Sequence, residues 1–113
     1  MIRITVYQND SEKCCGFQME GHAEYAAYGN DIVCAAVSAL VINAVNSIEA
    51  FTEDFPLCAL HQEKDLFSFE ITSYPVSRDT ELLLDSLVFG LKAVAEEYGK
   101  KFIRLKIKRK QEV

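Results

Sequence analysis

Apolar and polar residues alternate at Ile2, Ile4 and Val6, and again at Cys15, Phe17 and Met19. A period of two places alternate side chains on one face of a strand, so the chain is predicted to open with a β-hairpin turning through the polar residues 8–12. The pattern then changes. Asn30 or Asp31 offers a side-chain acceptor for orphan backbone N–H groups, which predicts a helix from there to about Glu53. Pro56 introduces two further short apolar runs, about 57–62 and 66–72, around the polar turn 63–65. From Ser77 or Asp79 to Tyr98, Leu83, Leu87, Leu91 and Val94 recur at helical spacing until Gly99 stops the helix, and a last strand follows over 102–108. The predicted order is ββαββαβ. That is an α+β fold, with two long helices packed on a five-stranded, mostly antiparallel sheet.

The first helix is apolar or small on every side, with Ile32, Val33, Val37, Leu40, Val41, Ile42 and Ile48 spread around it. Such a helix needs cover on more than one face. A two-layer domain covers only the sheet-facing side, so the rest is expected to meet the second helix or a second copy of the chain, and a homodimer is the expectation. The apolar-rich run from Ile32 to Val45 is broken by Ser38 and Asn43 and reads as too short to cross a bilayer, so no membrane role is expected.

Length and charge narrow the possibilities. At 113 residues the chain, 1–113, is expected to form a single domain with one site. Half the residues are hydrophobic and only 2 are proline, a balance that builds a packed core rather than a disordered chain. The strand-like start has no apolar signal core, which predicts a cytoplasmic protein whose 4 cysteines are free thiols. The net charge of -5 is unevenly distributed: residues 1–99 hold 16 acidic against 5 basic side chains, a balance of -11, and residues 100–110 hold the other 7 bases. An acidic body attracts a basic partner, and the basic end suits contact with RNA or an acidic surface.

One segment combines groups with nucleophilic chemistry. Cys34 is expected in the first turn of the first helix, three positions after Asp31, where unpaired N–H groups favour thiolate over thiol. The plain alternative is a small buried hydrophobe. His22 lies twelve residues upstream, across a loop bounded by Gly21 and Gly29, where it would take the thiol proton as general base or would face water as a strand-end residue. Asp31 would orient His22 or cap the helix. Ser38, four residues beyond Cys34, shares its helix face and would polarise the site or bond back to the carbonyl of residue 34. Gly21 and Gly29 are candidate hinges of a closing loop, or ordinary turn glycines. Ile32, Val33, Tyr25 and Tyr28 are candidate walls of a substrate pocket.

Other features point away from the site. Cys14, Cys15, Cys58 and His61 do not match zinc-ligand spacing, so no metal is expected, and His61 reads as an exposed strand residue. In the final strand Ile103, Leu105 and Ile107 fall on one face and cations on the other. That pattern suits a half-buried strand with a solvated basic face, or RNA contact without an aromatic platform alternating with the bases.

Gly21-His22-Ala23, Gly29 and the run Asp31-Ile32-Val33-Cys34-Ala35-Ala36-Val37-Ser38 resemble the signature of the ribosomal-processing cysteine proteases called Prp. The resemblance implies a bacterial, cofactor-free cysteine endopeptidase, the chain being a single cysteine protease domain. It further implies removal of the N-terminal extension of ribosomal protein L-twenty-seven, with a cut after a hydrophobic, phenylalanine-containing stretch. By the same likeness Cys34 would be nucleophile and His22 general base, Asp31 and Ser38 would support them, and the protein would be a homodimer. The acidic body suits a basic ribosomal substrate. Two rivals use the same residues differently: a non-catalytic ribosome-associated or RNA-binding module built on the basic final strand, and a thiol acyltransferase using the same His–Cys pair.

Overall fold

A computed structural model describes residues 1–21, 28–61, 66–71, 76–99 and 101–109, with residues 28–31 described at the backbone. The elements run β1 (Ile2–Gln8), β2 (Cys14–Glu20), α1 (Tyr28–Phe51), β3 (Pro56–His61), β4 (Leu66–Ile71), α2 (Arg78–Tyr98) and β5 (Ile103–Arg109). The order is the predicted ββαββαβ. The five strands form one sheet in the order β3-β4-β2-β1-β5, antiparallel throughout except that β5 runs parallel to β1.

Side-chain alternation explains which face is covered. Ile2, Ile4 and Val6 of β1 are buried, and the register sets Ile4 beside Met19 and Leu105, and Val6 beside Phe17 and Ile107. Phe17 continues the row to Phe69, their rings stacked with centroids 5.5 Å apart. Both helices lie over this apolar face. α1 contributes the stripe Val33, Val37, Val41, Ala44, Val45 and Ile48, and α2 contributes Leu84, Leu87 and Leu91. Where the helices cross, a Cβ on Gly90 would stand 3.2 Å from both terminal methyls of Leu40, so the missing side chain lets the two axes approach.

Three expectations about α1 change. It begins at Tyr28, two to three residues before the predicted cap, so Gly29, Asn30 and Asp31 all lie within its first turn and Asp31 is not its N-cap. Glycine in a helix costs about 1 kcal/mol, which a 24-residue helix with a buried stripe offsets. Residues Ile32–Phe51 are long and apolar enough, by length and composition, to cross a membrane, which corrects the shorter span read from the sequence. Their buried stripe nonetheless packs in the core beneath the sheet. On the outer side α1 is covered by α2 in part only, leaving Ile42 59% exposed, and Phe51, the last residue of the helix, is 75% exposed.

A buried polar network ties the end of α1 to the start of α2. Ser77, the N-cap of α2, donates from its backbone N–H (3.0 Å) and hydroxyl (2.7 Å) to Oδ2 of Asp54 and accepts from the Thr80 backbone N–H at 3.2 Å. The fully buried Thr80 hydroxyl donates to Thr52 Oγ1, which donates to the Ile48 carbonyl. At the far end of α2, Gly99 takes φ 85° and donates its N–H to Ala95, closing the helix before β5.

Asp54→Ala, at a residue only 8% exposed, removes the acceptor of the Ser77 backbone N–H and leaves the Ser77 hydroxyl only Thr80 Oγ1 at 3.1 Å. The expected loss is about 2 kcal/mol, read as a lower urea midpoint at unchanged slope, with Asp54→Asn losing less.

Candidate active site

Cys34 is the seventh residue of α1, not a residue of its first turn as the sequence suggested. It therefore stands one turn in from the orphan N–H groups at the helix start, about 4–5 Å along the axis at 1.5 Å per residue. Its neighbours Val33 and Val37 are fully buried, whereas Cys34 is half-buried on the shoulder of the stripe and packs against the core from its edge. The thiol is held by a rigid element yet is reachable. Ser38, also half-buried, follows four positions later on the same helix face.

His22 lies outside the described residues, as do Tyr25 and the side chains of Tyr28 and Asp31. The segment 22–27 that carries His22 is bracketed by well-placed elements: β2 delivers the chain to Gly21, and α1 takes it up at Tyr28. Gly21 has φ 81°, and a Cβ there would lie 2.7 Å from the Met1 carbonyl oxygen. Both the positive φ and the close approach demand glycine, so this residue has a turn role. Gly29, placed in the helix, does not bound the loop. Val33 is buried and cannot wall a pocket, while Ile32, 38% exposed, still can.

The other cysteines sit in different surroundings. Cys14 is buried beneath the β1–β2 end of the sheet, where burial pushes its thiol up to about 12, and it donates to the Gly16 carbonyl at 3.4 Å. Cys15 donates to the Tyr7 carbonyl at 3.6 Å. Cys58 is on the exposed edge strand β3, its thiol raised by partial burial and by the nearby charge of Glu49. His61, at the end of the same strand, is exposed as expected. Of the four thiols, only Cys34 is carried on a helix.

The comparison with known proteins bears on this helix-borne cysteine. A family model described as cysteine protease Prp matches residues 1–104. The ribosomal processing cysteine protease Prp of Staphylococcus aureus is 34% identical over 109 residues, covering 96% of this chain and all of that protein. The protein of the same name from Bacillus subtilis is 32% identical, covering 87% of this chain and 90% of its own. The backbone also superimposes on crystal structures of the essential S. aureus protease: TM-score 0.86 and 30% identity for a complex with a substrate peptide, and TM-score 0.83 and 31% identity for one with a covalently linked product peptide. Each spans 96% of this chain and all of the other. Matched in sequence along nearly its whole length and in fold to peptide-bound relatives, the chain belongs to the cysteine protease Prp family.

Proposed function

We propose that residues 1–113 form one endopeptidase domain in which Cys34 and His22 are a catalytic dyad, acting on the N-terminal extension of ribosomal protein L-twenty-seven. The observation carrying this reading is the half-buried Cys34 on α1, within a chain matched over residues 1–104 to a cysteine protease family. The peptide complexes of the S. aureus relative support a peptide substrate. Family membership displaces the non-catalytic alternative, and hydrolysis rather than acyl transfer follows from the protease relatives.

The steps balance without a cofactor. His22 takes the Cys34 proton, and the thiolate attacks the scissile carbonyl carbon, forming a C–S bond while the carbonyl oxygen becomes an oxyanion held by backbone N–H groups near the helix start. Collapse breaks the C–N bond as His22 returns the proton to the leaving amine. Water, deprotonated by His22, then hydrolyses the thioester, releasing the carboxylate and restoring the thiol. Asp31 and Ser38 stand three positions before and four after Cys34, spacings that share a helix face, and act as supporting groups. Gly21, at the start of the segment bearing His22, acts as its pivot during closure, whereas Gly29 belongs to α1.

The assembly is a cytoplasmic homodimer in this reading, with reduced thiols. Exposed Ile42 on the outer side of α1, with exposed Phe51 at its end and exposed Phe55 just beyond, supplies apolar area for a second copy.

Intact-mass analysis of ribosomal protein L-twenty-seven carrying its extension tests the dyad. Wild type removes the extension, Cys34→Ala abolishes removal, and His22→Ala slows it by about 10²–10⁴-fold; equal processing by all three excludes the dyad. Peptide mapping after iodoacetamide treatment at pH 8 should leave Cys14 unmodified in the native protein, because with a thiol at about 12 its thiolate share is roughly one in ten thousand. The same shift fixes a sign: burial of the neutral Cys14 thiol stabilises the fold fully below the ordinary thiol value of 9.0, and that contribution is lost as pH rises from there through about 12. Sedimentation velocity should give a dimer that Ile42→Glu with Phe51→Glu converts to monomer.

A further inference from the structure

The helices cover one face of the sheet and leave the other open. On that open face the parallel register of β1 and β5 sets Arg3 beside Arg104, Thr5 beside Lys106 and Tyr7 beside Lys108. Successive rows lie about 6.6 Å apart, two residues along a strand. Arg3, Arg104, Lys106 and Lys108 are all exposed, forming a track of four cations on a protein whose residues 1–99 carry a balance of -11. Read from sequence, the bases of the last strand had no aromatic partner. The fold supplies one from about a hundred residues away, because Tyr7 is the neighbour of Lys108 across the β1–β5 pair.

Tyr7 also borders a hollow. Its hydroxyl donates to Gln18 Oε1 at 3.2 Å, which holds the ring over β2. Beside it lies a concavity of about 280 Å³, lined on this face by Tyr7, Gly16, Ser68, Leu57, Ala59 and the acidic Glu70. Gly16 makes the hollow, since it is the one residue of that row between Tyr7 and Glu70 with no side chain above the sheet. A second concavity of about 310 Å³ lies along the track itself, between Arg3, Thr5, Arg104 and Lys106 on one side and Gln18 and Glu20 on the other.

We infer that this open face binds single-stranded RNA. The phosphates follow Arg104, Lys106 and Lys108 with Arg3 alongside, and an unstacked base lies against the Tyr7 ring in the hollow over Gly16. Charge sets the direction of the strand's two sides. Glu20 and Glu70 stand on the same face, on β2 and β4, and repel phosphate, so the backbone keeps to the β1–β5 side while the bases point toward β4. An acidic polypeptide would use the cations but not the ring and the hollow. A duplex would present phosphates but keep its bases stacked away from Tyr7. The surface is separate from Cys34, so the inference does not rest on the dyad.

The test is fluorescence anisotropy of the full chain with a fluorescein-labelled 20-nucleotide single-stranded RNA of mixed sequence. Neutralising four phosphates gives a log–log salt slope of about -2.8, hence about a 50-fold weaker complex at 200 than at 50 mM KCl. Arg104→Glu with Lys106→Glu should weaken binding at least tenfold and flatten the slope. Tyr7→Ala should weaken it about tenfold at unchanged slope, with Tyr7→Phe binding as wild type. Lys92→Glu, a charge reversal on exposed α2, should change nothing. Cleavage of a short peptide by each variant should match wild type, which separates failure of this face from failure of the protease. No binding at 50 mM KCl, equal binding of duplex RNA or polyglutamate, or indifference to the Arg104 and Lys106 reversals would overturn the inference.

Discussion

Burial of one stripe of α1 between the sheet and α2 is the interaction on which the other features depend. Val33, Val37, Val41, Ala44, Val45 and Ile48 fix the rotation of the helix about its own axis. Rotation fixes everything else on the helix by geometry: Cys34 one step round from Val33 must lie on the shoulder, neither sealed in the core nor free in solvent. The same constraint forces the crossing at Leu40 and Gly90, because α2 can cover the sheet's remaining apolar surface only by lying against α1. Cys34 thus inherits its position from residues that have no chemistry of their own.

Local chemistry was legible in the sequence wherever one short stretch decided the outcome. The alternation of Ile2, Ile4 and Val6, the cap at Ser77 and the stop at Gly99 are each set by a residue and its near neighbours, and each appears where expected. Contacts between distant stretches were not legible. The Phe17–Phe69 stack, which makes β2 and β4 neighbours, joins residues far apart in sequence, and no periodicity specifies it. The start of α1 failed for a related reason. Gly29 and Asp31 signal a boundary by intrinsic preference, but the packing of a long buried helix outweighs a cost of about 1 kcal/mol. Within the site, residue types and spacing along α1 were readable, whereas the exposure of Cys34 and the burial of Val33 needed the fold.

The two faces of the sheet divide the labour of the molecule. The helix face holds the buried apolar core and the Cys34 thiol, and the hydrogen-bonded junction at Asp54, Ser77 and Thr80 joins the helices at the end of α1. The open face holds polar side chains and the four exposed cations Arg3, Arg104, Lys106 and Lys108. An alternating strand such as β1 serves both at once, with Ile2, Ile4 and Val6 below and Arg3, Thr5 and Tyr7 above. A single substitution at either parity therefore acts on one face with little effect on the other.

The parallel pairing of β5 with β1 has a consequence for how the chain comes into being. β1 is made well before β5, so its outer edge has no partner until residues 103–109 have been synthesised. Until then the hairpin exposes a row of unsatisfied backbone groups beside buried-type side chains, a state prone to wrong pairing. Closing the sheet spans almost the entire chain, which makes this step slow relative to hairpin and helix formation. The five-stranded sheet therefore completes only after translation has passed the basic strand, so that β5 acts as the clasp of the fold.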